Sequence, residues 1–207
     1  MYNFRNSESS TVRYYPGGLT PKQAEGRRKV WFQVFDIVGS VVLALIIIFL
    51  CFTFVFRAVN VVGRSMVPTL NDGDWLLVSD KKAYERGDII IITQPNDVHK
   101  PLVKRVIATG GETIDIDFST HEVWVDGVLL DEEYIKEPTE LSYDVEFPYV
   151  VPEGCVFAMG DNRNDSLDSR SSKVGAIDER YILGKALVRI LPFGDICTFD
   201  TSELYNS

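Results

Sequence analysis

Residues 37–56 read IVGSVVLALIIIFLCFTFVF, twenty residues without a charge. At about 1.5 Å of rise per residue, a helix of that length spans about 30 Å, the hydrocarbon thickness of a bilayer. A cleavable leader would have an apolar core of about 7–15 residues closing on a small-residue site. Here Arg57 follows Phe56 with no A-x-A pattern. A buried helix of a soluble domain would be shorter or carry a polar face. A single uncleaved transmembrane helix over residues 30–57 is therefore expected, with Trp31, Phe32 and Phe35 where it enters the headgroup region.

Charge sets the expected orientation, because Lys and Arg flanking a span stay on the cytoplasmic side. Residues 1–36 carry six basic and three acidic residues, with Lys22, Arg27, Arg28 and Lys29 just before the span. Residues 57–207 carry fifteen basic and twenty-seven acidic ones. The expectation is a single-pass membrane protein with a cytoplasmic N-terminal tail, residues 1–29, and an extracytoplasmic domain, residues 58–207. Residues 1–21, rich in Ser, Tyr, Thr and Gly and broken by Pro16 and Pro21, have too little periodic apolar content for a packed element, while residues 22–36 are expected to extend the membrane helix. The partners implied are the lipid bilayer and not nucleic acid, since neutralising phosphates requires a basic face.

After Arg57 the texture changes to short β-branched runs, among them WLLVSD, DIIIIT, LVKRVIAT, TIDID, CVFAMG and ALVRIL. Turn signals at NDGD, ERGD, TGGE and VDGV separate them and favour antiparallel connections. With no long amphipathic helix in this part, the fold class is mostly β: one N-terminal transmembrane helix followed by a β-rich domain. Residues 113–152 differ from their flanks, with EVWVDGVLL reading as a hairpin and DEEYIKEPTE as an acidic, Pro-broken loop. They are expected to form a small inserted excursion from the main sheet.

Cys51 lies within the membrane run, and Cys155 and Cys197 fit no C-x-x-C or zinc spacing. These two read as buried small hydrophobes, with a disulfide between them left open. His99 sits in the loop PNDVHKP and His121 in the polar stretch DFSTHE, both read as surface positions. No metal and no cofactor is expected.

Three segments carry chemistry. GRSMVPTL, residues 63–70, follows the span so closely that Ser65 lies within roughly 32 Å of its end, at about 3.6 Å per extended residue. A serine before a Pro-containing turn is by itself an ordinary surface residue. In LVKRVIATGGE, residues 102–112, Lys104 stands in an apolar strand pattern, where solvation normally excludes a lysine unless it reaches water or is held neutral. Strand alternation sends Arg105 the other way, into solvent. MGDNRNDSLDSR, residues 159–170, reads either as a polar loop of Asx turns or as a hydrogen-bonded platform for a catalytic pair.

In this order behind one anchor, SMVPTL, RGDIIII, KRVIATGGE and MGDNRNDSLDSR resemble bacterial type I signal peptidases, particularly the compact Gram-positive forms. The resemblance covers residues from about 30 to 195. It implies a β-rich catalytic core with a small inserted subdomain, Ser65 as nucleophile, Lys104 as general base and Ser166 as a hydroxyl holding the lysine amine. It further implies that Asp161, Asp168 and Arg170 brace the loop. A groove near Met66, Leu70 and Val103 would take small residues at −1 and −3 of a signal peptide. Some members, chiefly of Gram-negative type, carry a serine two residues before the nucleophile as an oxyanion donor, and this chain has Gly63 there.

A serine base of this kind must be a neutral amine, so burial must lower the lysine pKa. Two rival readings are weaker. Repressor-type Ser-Lys autoproteases are soluble and would need a DNA-reading domain in place of the anchor. A tethered binding module without activity would have no use for Ser65, Lys104 and Ser166 together.

Overall fold

The computed structural model describes residues 21–54, 56–80, 83–93, 100–192 and 197–199. The tail up to residue 20, and His99, lie outside these residues. Contacts divide the chain into a helical unit ending at Cys51 and a β unit from Phe52. The helix, α1, runs Pro21–Phe54. Pro21 occupies the first helical position, where its missing N–H costs nothing. From Lys29 to Leu50 the helix is long and apolar enough to cross a membrane, the one such helix among the described residues. Its large side chains stay exposed on every face, and Trp31 stacks on Phe35 at 5.9 Å between ring centroids.

The β unit is built on an eight-stranded antiparallel sheet. Its strands are β1 (Phe56–Asn60), β2 (Trp75–Ser79), β3 (Ile89–Ile92), β4 (Leu102–Thr109), β9 (Cys155–Met159), β10 (Ile177–Asp178), β11 (Ile182–Leu191) and β12 (Cys197–Thr198). The order is β1-β2-β11-β3-β4-β9-β10, with β12 added on β11. The unbroken IIII of β3 is buried on both faces, which is why it lacks the alternation of a half-exposed strand. β4 is its neighbour and is covered almost as fully.

The excursion forms a second antiparallel sheet of β5 (Thr113–Asp117), β6 (Glu122–Val125), β7 (Val128–Leu129) and β8 (Tyr149–Val150), in the order β7-β6-β5-β8. The hairpin expected at EVWVDGVLL is there, turning at Asp126 and Gly127, both at positive φ as a tight two-residue turn requires. Ile114, Ile116, Val123 and Val125 of this sheet share one core cluster with Ile107, Phe157 and Met159 of the main sheet. The excursion is thus packed on the main sheet through a common core.

Cys155 and Cys197 are free thiols and only partly buried, contrary to the expectation of buried small hydrophobes. Cys155 opens β9 beside the short β10 and packs against the core cluster of Ile107 and Phe157, and Cys197 lies on the two-residue β12. Strands β11, β3 and β4 stand between them. At about 4.8 Å per strand that is far beyond disulfide reach.

Candidate active site

The turn carrying Ser65 is pinned from two sides. Met66 and Leu70, 1% and 0% exposed, sink into a cluster with Leu76, Val78, Ile89 and Ile91. On the other side Asn162 donates its backbone N–H to the Ser65 carbonyl at 2.9 Å and its side-chain amide to the Arg64 carbonyl at 3.0 Å. Gly63, at φ +99°, donates its N–H to Asp72. Half-buried Ser65 is left with its hydroxyl facing β4.

Lys104 stands in β4 opposite Ile90 and is 2% exposed. Its Nζ lies 2.7 Å from Ser65 Oγ and 3.0 Å from the Val103 carbonyl. Burial lowers its pKa from 10.5 to about 8, partly opposed by the Asp168 and Asp161 carboxylates, while Arg170 assists the lowering. Roughly one amine in ten is then neutral at pH 7, against one in a few thousand at the ordinary value.

Arg105 corrects the expectation that it points into solvent. It is 4% exposed and grips Asp161 with two parallel bonds, Nε to Oδ1 at 2.8 Å and Nη2 to Oδ2 at 2.7 Å, while Nη1 donates to the Gly87 carbonyl. β4 is covered on both faces, so alternation moves Arg105 to another interior and not to water. Thr69 donates its hydroxyl to the same Asp161 carboxylate, which ties the end of the Ser65 turn to β4.

Asp168 and Arg170 form a second bidentate pair, both side chains fully buried. Burial pushes the Asp168 carboxyl up, but the Arg170 guanidinium, with help from the Gly160 N–H, outweighs it and holds Asp168 below the usual carboxylate range. Ser166 is buried, and its Oγ makes no well-formed hydrogen bond, to Lys104 or otherwise. It packs on Gly160, where an added Cβ would lie 2.2 Å from Ser166 Oγ and 2.5 Å from the Ser65 carbonyl oxygen. Gly160 is therefore the spacer that lets Ser166 and Ser65 approach one another. Met66 and Leu70 offer almost no surface, and of the three positions expected at a groove only Val103, packed against the same cluster, is partly open.

Several residues of the site are not singled out by sequence pattern. Arg163 is fully buried and donates to Glu132 through Nη1 at 2.9 Å and Nη2 at 2.6 Å, and to Thr139 Oγ1 at 2.8 Å. Tyr134 lies under Arg105, with the guanidinium 4.1 Å from the ring centroid. Tyr143 donates its hydroxyl to the Ser166 carbonyl at 2.9 Å. The one signal available was the acidic density of DEEYIKEPTE facing an arginine-bearing loop. His121 approaches the Thr139 carbonyl through Nδ1 at 3.3 Å. No group of His, Cys, Asp and Glu with metal-binding geometry occurs among the described residues.

A family model described as signal peptidase, peptidase S26, matches residues 34–191. Signal peptidase I of Bacillus licheniformis is 35% identical over 176 residues, covering 79% of this chain and 92% of that protein. Signal peptidase I of Bacillus amyloliquefaciens is 37% identical over 169 residues, covering 76% and 85%. A crystal structure of a signal peptidase I from Enterococcus faecalis, 27% identical, covers 50% of this chain and 96% of its own, at a TM-score of 0.42.

Proposed function

Since the chain belongs to the signal peptidase family, peptidase S26, we propose that it is a membrane-anchored serine endopeptidase removing N-terminal signal peptides from exported preproteins, with Ser65 as nucleophile and Lys104 as general base. The observation that carries this reading is the buried Lys104 amine, 2.7 Å from Ser65 Oγ, with its pKa lowered to about 8. A buried lysine is costly, and its retention beside a hydroxyl fits a base that must be neutral.

The steps follow from that pair. Ser65 Oγ attacks the carbonyl carbon of the −1 residue while its proton passes to Lys104 Nζ. The tetrahedral oxyanion is met by the Ser65 N–H, since Gly63 has no side chain to contribute. The lysine ammonium then gives its proton to the amide nitrogen, the C–N bond breaks, and the mature protein leaves as a free amine. Water attacks the remaining ester, losing a proton to Lys104 Nζ. The ester C–O bond breaks, and that proton returns to Ser65 Oγ as the signal peptide leaves as a carboxylic acid, which gives its remaining proton to solvent. Asp161, Asp168, Arg170 and Ser166 hold the pair and do not exchange protons.

Selectivity for small residues at −1 and −3 is assigned to the space beside Val103, with Met66 and Leu70 as its unyielding floor. A larger side chain would meet a packed cluster, and overpacking costs about 1–3 kcal/mol. The exposed apolar face of α1 supports anchoring in a bilayer, and the basic residues before it support a cytoplasmic N-terminus.

The test is incubation of the detergent-solubilised protein with a synthetic precursor carrying A-x-A, followed by mass determination of the products. Cleavage after the second Ala, abolished by Ser65→Ala and strongly slowed when that Ala is Leu, is expected. An intact precursor, or equal rates for Ala and Leu, contradicts the reading.

A further inference from the structure

Residues 131–148 of the excursion form no strand or helix. A segment without its own hydrogen-bond ladder must satisfy its backbone elsewhere. Here it does so on the loop 160–172. The Lys136 N–H donates to the Asp161 carbonyl at 3.0 Å and the Val145 N–H to the Arg170 carbonyl at 3.1 Å. The Leu141 carbonyl accepts from Arg170 Nη1 at 2.8 Å. Glu132 takes both arms of buried Arg163, and Tyr143 donates its hydroxyl to the Ser166 carbonyl. The contacts run the length of both segments and reach across more than twenty residues of sequence.

Resting on the Ser65–Lys104 reading, we propose that residues 132–145 act as a strap that positions the catalytic loop against Lys104, with Tyr143 and Glu132 as positioning residues that never touch substrate. The coupling runs through named atoms. Tyr143 fixes the backbone of Ser166, whose side chain packs against Gly160, and Gly160 in turn lies close against the Ser65 carbonyl. Glu132 fixes Arg163, whose Nε donates to the Gly160 carbonyl and whose own carbonyl accepts from Arg170. The charged groups acting on the Lys104 amine all belong to this loop, namely Asp168, Asp161 and Arg170. Arg105, next to Lys104 in β4, is committed to Asp161.

A loosened loop admits water to Lys104 and removes the desolvation that keeps the amine neutral. Slackening the strap is therefore read as a shift of the acid limb of the pH–rate profile toward alkaline pH, with the activity recovered where the lysine is neutral again. A contact with a merely structural role would lower the melting temperature without moving that limb.

The experiment compares kcat/KM from pH 6 to 10.5 on an A-x-A precursor, using full-length protein in detergent, for the unaltered enzyme, Tyr143→Phe, Glu132→Gln, Glu132→Ala and Glu146→Ala. Tyr143→Phe deletes one hydroxyl and keeps the ring, so folding is not at stake. Its expected effect is a loss of about 2- to 10-fold at pH 7, the equivalent of one hydrogen bond, shrinking toward none at high pH. Glu132→Ala should shift the limb further and Glu132→Gln less. Glu146, exposed on the same segment, should change nothing. If Tyr143→Phe leaves the limb in place, or lowers the rate equally at every pH, the strap is structural only and the proposal falls. A flat profile for the unaltered enzyme overturns instead the Ser-Lys reading on which the proposal rests.

Discussion

Arg105 and Asp161 meet in a bidentate pair with 2.8 and 2.7 Å bonds, both side chains almost wholly out of water. The pair joins the strand that carries the proposed base to the loop that holds the proposed nucleophile, since the neighbouring Asn162 binds the Ser65 carbonyl. Each partner alone would be an uncompensated buried charge.

Arg105→Met should therefore destabilise the β unit by about 3–5 kcal/mol, the usual cost of stranding one member of such a pair. Arg105→Lys should recover little, because a point charge cannot reproduce two parallel bonds and a third to Gly87. The double variant Arg105→Met with Asp161→Leu should regain part of the loss. Chemical denaturation in detergent checks all three, and a double variant no better than Arg105→Met would contradict the argument.

Gly160→Ala tests the close approach of the two serines. The new Cβ would sit 2.5 Å from the Ser65 carbonyl oxygen, a backbone atom that cannot rotate away. Displacing the loop is the only relief. Loss of most activity is expected in a protein whose circular dichroism is unchanged, and full activity would show that the 160–166 loop need not hold its place.

Lys104 also shapes stability. Its folded pKa, about 8, lies below the ordinary 10.5, so between those values the folded protein binds fewer protons than the unfolded chain and stability rises with pH. Below pH 8 the buried ammonium costs roughly 3 kcal/mol. Lys104→Met should be inactive yet more stable than the unaltered protein at pH 7, by up to about that amount. The gain should fade between pH 8 and 10.5. Equal stability at pH 7 would mean that the amine is not desolvated.

Much of this was readable beforehand. The apolar run, the β-branched segments and the hairpin at Asp126–Gly127 follow from local periodicity and turn chemistry, and Lys104 stood out because a lysine is alien to an apolar strand. What failed were inferences needing knowledge of what covers a strand. Arg105 was sent to solvent by an alternation rule that assumes one wet face, but β4 has none at that point. Met66 and Leu70, which the resemblance puts at a groove, are buried in the anchorage of the turn, so that Val103 is the partly open position of the three. The hold of Glu132 on Arg163 joins residues 31 apart, a pairing no local pattern encodes.

The proposed topology is open to direct test. Protease added to spheroplasts should digest residues 58–207 and spare the N-terminal tail, as the basic residues before the span require. A cut tail with a protected β unit would reverse the orientation and remove the site from exported substrates.

The central claim is that Lys104 acts as a neutral base toward Ser65, and the measurement that tests it most directly is the pH dependence of precursor cleavage by the unaltered enzyme and by Lys104→Arg. Arginine keeps the charge but stays protonated, so it cannot accept the Ser65 proton. The rate of the unaltered enzyme should rise through a pKa near 8, and folded Lys104→Arg should be nearly as inactive as Ser65→Ala at every pH. A folded Lys104→Arg that retains most of its activity would contradict the account and leave Lys104 an electrostatic residue only.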